Sequence, residues 1–239
     1  MSQSILSEKI ILALDGMSKD DALILVDKIP DVLWVKVGLE LFISEGPHLI
    51  KIFRERNKKI FLDLKLHDIP TTMEKACYQA AKHGVDMVTV HACAGMDALQ
   101  AANIGAKEGA YKSRLKMPVL LGVTVLSSWS SEKLNNELDL NTSLDKRVDL
   151  LAELAKTSNI GGCICSPWEA SRLRQKHPFP FEIITPGIRF RGEQLQDQVR
   201  VTTPQEALQS GASKIVVGRS ITQSTDPRKA FANCLKDIG

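Results

Sequence analysis

"KIFLDLKLHDIPTTM", residues 59–73, is the stretch whose reading decides the fold. It begins as a buried strand, with Ile60, Phe61, Leu62, Leu64 and Leu66 all apolar. Asp63, Lys65 and Asp68 then interrupt the run. Charge inside an apolar strand is costly unless it is paired, so acid, base and acid in close succession mark a built feature. Asp63 and Lys65 stand two apart and therefore share one face of the strand. Asp68 falls just past it, in the following loop.

Similar apolar, β-branched runs lie on both sides. Before it come "KIILALD" (9–15) and "VLWVKVG" (32–38). After it come "DMVTVH" (86–91), "PVLLGVTVL" (118–126), "IGGCIC" (160–165), "FEIITPG" (181–187) and "KIVVGR" (214–219). Helix-period segments separate them: "DDALILVDKI" puts Ala22, Leu25, Val26 and Ile29 on one side, and "LDKRVDLLAELAKTS" does so with Val148, Leu151, Leu154 and Ala155. Ser166-Pro167 with Glu169, and Thr203-Pro204 with Glu206, read as capping boxes with proline at the first helical position; Asp226-Pro227 reads as a third N-cap. Continuous apolar strands suit a parallel sheet covered by helices, and eight alternations predict a (β/α)8 TIM barrel, one domain over residues 1–239. The alternative is an open doubly wound sheet. Its glycine fingerprint is missing, because "LALDGMSKDD" offers one glycine where G-x-G-x-x-G is needed.

Of the 239 residues, 44% are hydrophobic, enough for a sizeable core, and 25% are charged. A formal charge of +3 gives no argument for nucleic acid but suits a small anionic ligand. Five cysteines, Cys77, Cys93, Cys163, Cys165 and Cys234, show no metal-type spacing and read as reduced thiols of a cytoplasmic protein. Cys163 and Cys165 are expected on opposite faces of their strand. "MSQSILSEKIILALDG" has no basic leader and no long apolar segment, so neither a signal peptide nor a membrane span is expected.

In a barrel of this kind the chemistry sits at the C-terminal strand ends. Charged residues gather there: Asp15 on strand one, Lys36 on strand two, Asp63 and Lys65 on strand three, with Asp68 beyond and His91 closing strand four. Taken singly, Asp15 or His91 reads as a salt bridge plugging the barrel top. Taken together, the five acids and lysines of three adjacent strands read as an alternating charge network. At the other end of the chain, Gly187, Arg189 and Arg191 follow strand seven, and Gly218 and Arg219 end strand eight. Glycine lets main-chain N–H groups approach an anion and arginine forks onto its oxygens, so these loops read as a phosphate grip. Residues 187–200, with Gln194 and Gln198, have the length and polarity of a closing lid. "KIFRERNKK" (51–59) interleaves charge with Ile52 and Phe53 at helical spacing and reads as a solvated helix face.

"DLKLHDIPTT" resembles the D-x-K-x-x-D-I-P-x-T signature of the orotidine 5'-phosphate decarboxylases. The resemblance extends to "LALD", "VKVG", "VTVLSS", "TPGIR" and "VVGRS" at strands one, two, five, seven and eight, and so to essentially the whole chain. It implies a cofactor-free decarboxylase converting orotidine 5'-phosphate to UMP, the last step of de novo pyrimidine biosynthesis. Asp15 then resembles the ribose-contacting acid and Lys36 its partner; Asp63 and Lys65 resemble the central catalytic pair. Asp68 and Thr72 match positions that reach the neighbouring subunit's site, which implies a homodimer. Ser127 matches the pyrimidine contact, in "LSS" where some members have Leu-Thr-Ser. Gln198, Gly218 and Arg219 match the phosphate grip, and Arg189 a lid arginine beside it.

Loss of CO2 from the pyrimidine leaves a carbanion in the ring plane, outside the reach of the π system. No motif for a metal, PLP or thiamine is present to act as an electron sink, so electrostatics must serve. An ammonium on Lys65 would stabilise the developing charge and then donate the proton. The rival on the same barrel is a Mg2+-dependent sugar-phosphate decarboxylase or aldolase. It would want a carboxylate at strand two, where this chain has Lys36.

Overall fold

A computed structural model describes residues 3–191 and 202–239. A short helix α1 (Gln3–Ser7) leads into strand β1 (Ile10–Ala13) and helix α2 (Lys19–Lys28). Strand β2 (Trp34–Gly38) is followed by α3 (Leu39–Glu45) and α4 (His48–Glu55), and β3 (Lys59–Leu66) by α5 (Pro70–Lys82). After β4 (Met87–His91) comes α6 (Met96–Ser113); after β5 (Val119–Val123) come α7 (Ser131–Leu138) and α8 (Leu144–Thr157). The last units are β6 (Gly162–Ile164), α9 (Pro167–Lys176), β7 (Glu182–Thr185), α10 (Pro204–Gln209), β8 (Lys214–Val217), α11 (Arg219–Thr222) and α12 (Pro227–Ile238).

Among the described residues these eight strands pair in chain order, all parallel, and close into a barrel. Closure comes from β1 against β8, with Ile10 opposite Ile215 and Leu12 opposite Val217. Each predicted run yields its strand, and the capping boxes at Ser166 and Thr203 and the cap at Asp226 are formed. In "KIFRERNKK" the helical part ends at Glu55 and the last lysine already belongs to β3.

Both faces of the strands are covered, which is why their sequences are apolar without alternation. The barrel interior holds a layer built from Ile11, Trp34, Phe61, Met87, Leu121, Ile184 and Val216. Outward-facing Leu12, Val35, Val37, Ile60, Leu62, Val88 and Val90 pack into the mantle of helices. Burying each large apolar side chain of this kind contributes about 1.5–3 kcal/mol. Helix α6 lies close along α5: a Cβ on Gly105 would fall 2.0 Å from the Glu74 carbonyl oxygen. This contact braces the helix that begins at Pro70, directly after the signature loop.

At the far side Arg174 ties α9 to the last two strands. Its guanidinium donates to the carbonyls of Gly211, His177 and Phe181 at 3.0, 3.0 and 2.7 Å, and to the Ser213 hydroxyl at 2.8 Å. Charge-assisted bonds of this kind contribute more than neutral ones, so Arg174→Ala is expected to cost about 2–4 kcal/mol of stability. Urea unfolding with an unchanged slope and a lowered midpoint checks this; an unchanged midpoint refutes it.

The cysteines are free, with Cys93 exposed and the others buried. Cys163 and Cys165 do not point to opposite faces. They belong to one buried cluster, because strand alternation returns a side chain to the same face every second residue. No described helix is long and apolar enough to cross a membrane.

Candidate active site

The C-terminal ends of the strands open into a cavity of about 500 Å3. One wall carries the charged residues. Lys36 on β2 is buried and donates from Nζ to both Asp15 oxygens, at 2.8 and 2.7 Å. The same nitrogen lies 3.4 Å from Asp63 Oδ2. Lys65 Nζ forks onto Asp63, 2.9 Å from Oδ1 and 2.8 Å from Oδ2. The order around the wall is acid, base, acid, base. Buried charges are tolerated because each has an opposite neighbour.

Two backbone features create this geometry. Gly38 ends β2, and a Cβ there would lie 2.2 Å from Asp15 Oδ1 and 3.3 Å from Lys36 Nζ. The missing side chain is the space in which the Asp15–Lys36 pair sits. On β3 the register against β4 shifts between Leu62 and Leu66, and Lys65 adopts φ +50°. A left-handed backbone costs a non-glycine residue about 1–2 kcal/mol. The bulge re-aims the lysine, as bulges beside active sites do. Asp63 and Lys65 thus share a face, as their spacing predicts, but through an irregular strand.

Burial alone would raise the Asp63 carboxyl. Lys36, Lys65 and the hydrogen bonds from Lys65 and Thr89 outweigh it and hold the group below its ordinary value of 3.8. A depressed carboxyl contributes stability that is present above the unfolded-state pKa and is lost as pH falls through the folded one. The wild type is therefore expected to lose stability below about pH 4, and Asp63→Asn to show a flatter acid limb. Thermal melts from pH 6 to 3 check this; parallel profiles refute it.

The opposite wall is supplied by β5, β7 and β8. Ser127 lines it from the loop after β5; Gly187 and Arg189 line it after β7, and Gly218 and Arg219 after β8. Arg189 is buried, and its backbone is pinned where Ile188 bridges Thr202. A Cβ on Gly218 would meet only Ala13 Cβ, at 3.6 Å, which is ordinary contact. Packing within the chain does not demand glycine there.

A family model described as "Orotidine 5'-phosphate decarboxylase / HUMPS family" matches residues 8–234. The chain belongs to that family. Among curated relatives, the orotidine 5'-phosphate decarboxylase of Prochlorococcus marinus (strain MIT 9211) is 56% identical over 232 residues, covering 97% of this chain and 96% of the relative. That of Synechococcus sp. (strain CC9902) is 50% identical with the same coverage. A crystal structure of orotidine 5'-phosphate decarboxylase from Lactobacillus acidophilus superposes with a TM-score of 0.86 at 37% identity, over 96% of this chain and 98% of that one.

Of the residues singled out for their resemblance to this decarboxylase family, the structure gathers Asp15, Lys36, Asp63, Lys65, Ser127, Arg189, Gly218 and Arg219 around one cavity. Asp68 and Thr72 are not among its lining. Both are exposed, and Asp68 accepts from the Ile69 N–H at 2.7 Å; among the described residues it makes no ion pair with Lys65. Gln198, with Gln194, lies outside the described residues. Arg191 is exposed and does not line the cavity. His91 forms no salt bridge among the described residues: its ring centre lies 5.5 Å from that of His67 with the planes tilted by 41°, and its buried Nδ1 has no hydrogen-bond partner. Sequence reasoning missed Thr89, which is fully buried and donates to Asp63 Oδ1 at 3.0 Å. A threonine within "MVTVH" looks like any other β-branched strand residue.

Proposed function

We propose that this protein decarboxylates orotidine 5'-phosphate to UMP. One observation carries the reading: a lysine ammonium is clamped on a buried carboxylate at the wall of a cavity whose other wall presents Arg189 and Arg219. The names of its family relatives support it, and so does Lys36 standing where the metal-dependent rival would want a carboxylate.

In this reading Arg189, Gly218 and Arg219, with Gln198, hold the phosphate, Ser127 meets the pyrimidine, and the Asp15–Lys36 pair meets the ribose. Binding energy from the phosphate, remote from the reacting carbon, positions the ring over Lys65. As the carboxylate leaves as CO2, its bonding electron pair stays on the ring carbon, and the Lys65 ammonium stabilises that pair and then protonates it. No electron sink is required.

Asp63 facing the substrate carboxylate would add repulsion; two like charges about 4 Å apart at an effective dielectric near 20 repel by about 4 kcal/mol. That figure is an upper bound here, because Asp63 already accepts from Lys65 and Thr89 and lies beside Lys36. Stabilisation of the transition state by Lys65 is therefore the larger share.

Asp68 and Thr72 act, in this reading, in the site of a second copy. Both are exposed at the start of α5, beside Ile69, which is 67% exposed. Leu39 and Ile43, on the helix after the neighbouring strand, also show large apolar surface to solvent. The reading includes a cytoplasmic setting, which the free thiols suit.

The test is the fall in orotidylate absorbance on adding enzyme, run in EDTA. The expected result is full turnover with chelator present. No change with folded protein refutes the decarboxylase, and activity restored only by Mg2+ favours the sugar-phosphate rival.

A further inference from the structure

Between Leu62 opposite Val88 and Leu66 opposite Val90, three residues of β3, Asp63 to Lys65, run against one of β4, Thr89. Such a bulge leaves main-chain groups without ladder partners. At its centre the Lys65 N–H donates instead to a side chain, Thr89 Oγ1, at 2.8 Å. The same oxygen lies 3.0 Å from Asp63 Oδ1. A main-chain N–H only donates and an ionised carboxylate only accepts, so the hydroxyl must accept from Lys65 and donate to Asp63. Asp63 in turn accepts from Lys65 Nζ. The result is a closed ring: Lys65 backbone to Thr89, Thr89 to Asp63, Asp63 to the Lys65 ammonium. Thr89 has no exposed surface, so water does not substitute for it.

We propose that Thr89 is a positioning residue whose single hydroxyl holds the bulge in β3 and thereby fixes both the left-handed backbone of Lys65 and the direction of its ammonium. This rests on the decarboxylase reading for its kinetic consequence, though not for its structural one. Thr89 touches neither the cavity nor the reacting atoms; it acts through Lys65 and Asp63. Without the hydroxyl the Lys65 N–H would lose its partner, and the cheapest remedy is to return the strand to regular extended backbone, which turns Lys65 away.

Thr89→Val keeps the shape and removes both hydrogen bonds. It is expected to lower kcat by about tenfold to a hundredfold, the cost of a misplaced reacting group, while UMP binding changes by less than about threefold. Thr89→Ser keeps the hydroxyl and is expected to hold kcat within about threefold of wild type. A crystal structure of Thr89→Val should show Lys65 at negative φ with its ammonium displaced from Asp63. Unchanged kcat in Thr89→Val, or an unchanged Lys65 φ, overturns the proposal, as does an equal loss in the valine and serine variants. If Thr89→Val does not fold, Thr89→Ala carries the same expectations; failure of both to fold assigns Thr89 to barrel stability alone and overturns the positioning role. Wild type without turnover, combined with a rearranged Lys65 in Thr89→Val, would remove the decarboxylase reading and leave the positioning role standing.

Discussion

Lys65→Ala is expected to lower turnover of orotidine 5'-phosphate by at least about 10⁴-fold, because one side chain supplies both charge stabilisation and the proton. The loss corresponds to about 5.5 kcal/mol of transition-state stabilisation. Binding of UMP should remain measurable by calorimetry, since the contacts assigned to phosphate, ribose and pyrimidine come from other strands. That split between catalysis and affinity distinguishes a reacting group from a binding one. Turnover within about tenfold of wild type would remove Lys65 from the role of general acid. The alanine also leaves Asp63 with one lysine neighbour instead of two. A partner for that carboxylate is lost, so stability should be measured alongside.

The second large effect is a gain. Asp68→Ala and Lys65→Ala are each expected to be nearly inactive as pure proteins. Mixed and allowed to exchange, they should recover about a quarter of wild-type activity. Half of the dimers would then be mixed, and each mixed dimer would have one site with Lys65 from one subunit and Asp68 from the other. The exposure of Asp68 and Thr72, away from the cavity of their own chain, motivates this experiment. No recovery after native mass spectrometry has shown mixed dimers would refute a site completed across the interface.

Most of the architecture was legible because parallel strands are buried on both faces and so appear as uninterrupted apolar runs. Proline-bearing caps marked three helix starts for equally local reasons. The charged wall was legible for the opposite reason: Lys36, Asp63 and Lys65 are the residues an apolar strand should not contain. What stayed hidden depends on tertiary partners. Nothing at Lys65 announces positive φ, since neither glycine nor asparagine occupies the position; the conformation comes from the Thr89 hydroxyl one strand away. The placement of Cys163 and Cys165 failed for a simpler reason, a misapplied period, although the spacing of Asp63 and Lys65 was read correctly by the same rule. His91 looked like a salt-bridge residue because it closes a strand at the barrel end where the charged residues gather, whereas in space it lies beside another histidine. Asp68 looked like a flank of Lys65 by sequence distance, yet the chain carries it outward to the surface.

Gly38 bears on how tolerance to mutation should be interpreted in this protein. It brings no charge, donor or acceptor from a side chain, yet any larger residue would occupy the volume in which the Asp15 carboxylate meets Lys36. A saturation screen scored on growth would rank Gly38 with the ionisable residues, although it is a vacancy rather than a reagent. Essentiality in such a screen would trace the outline of the charged wall, empty parts included.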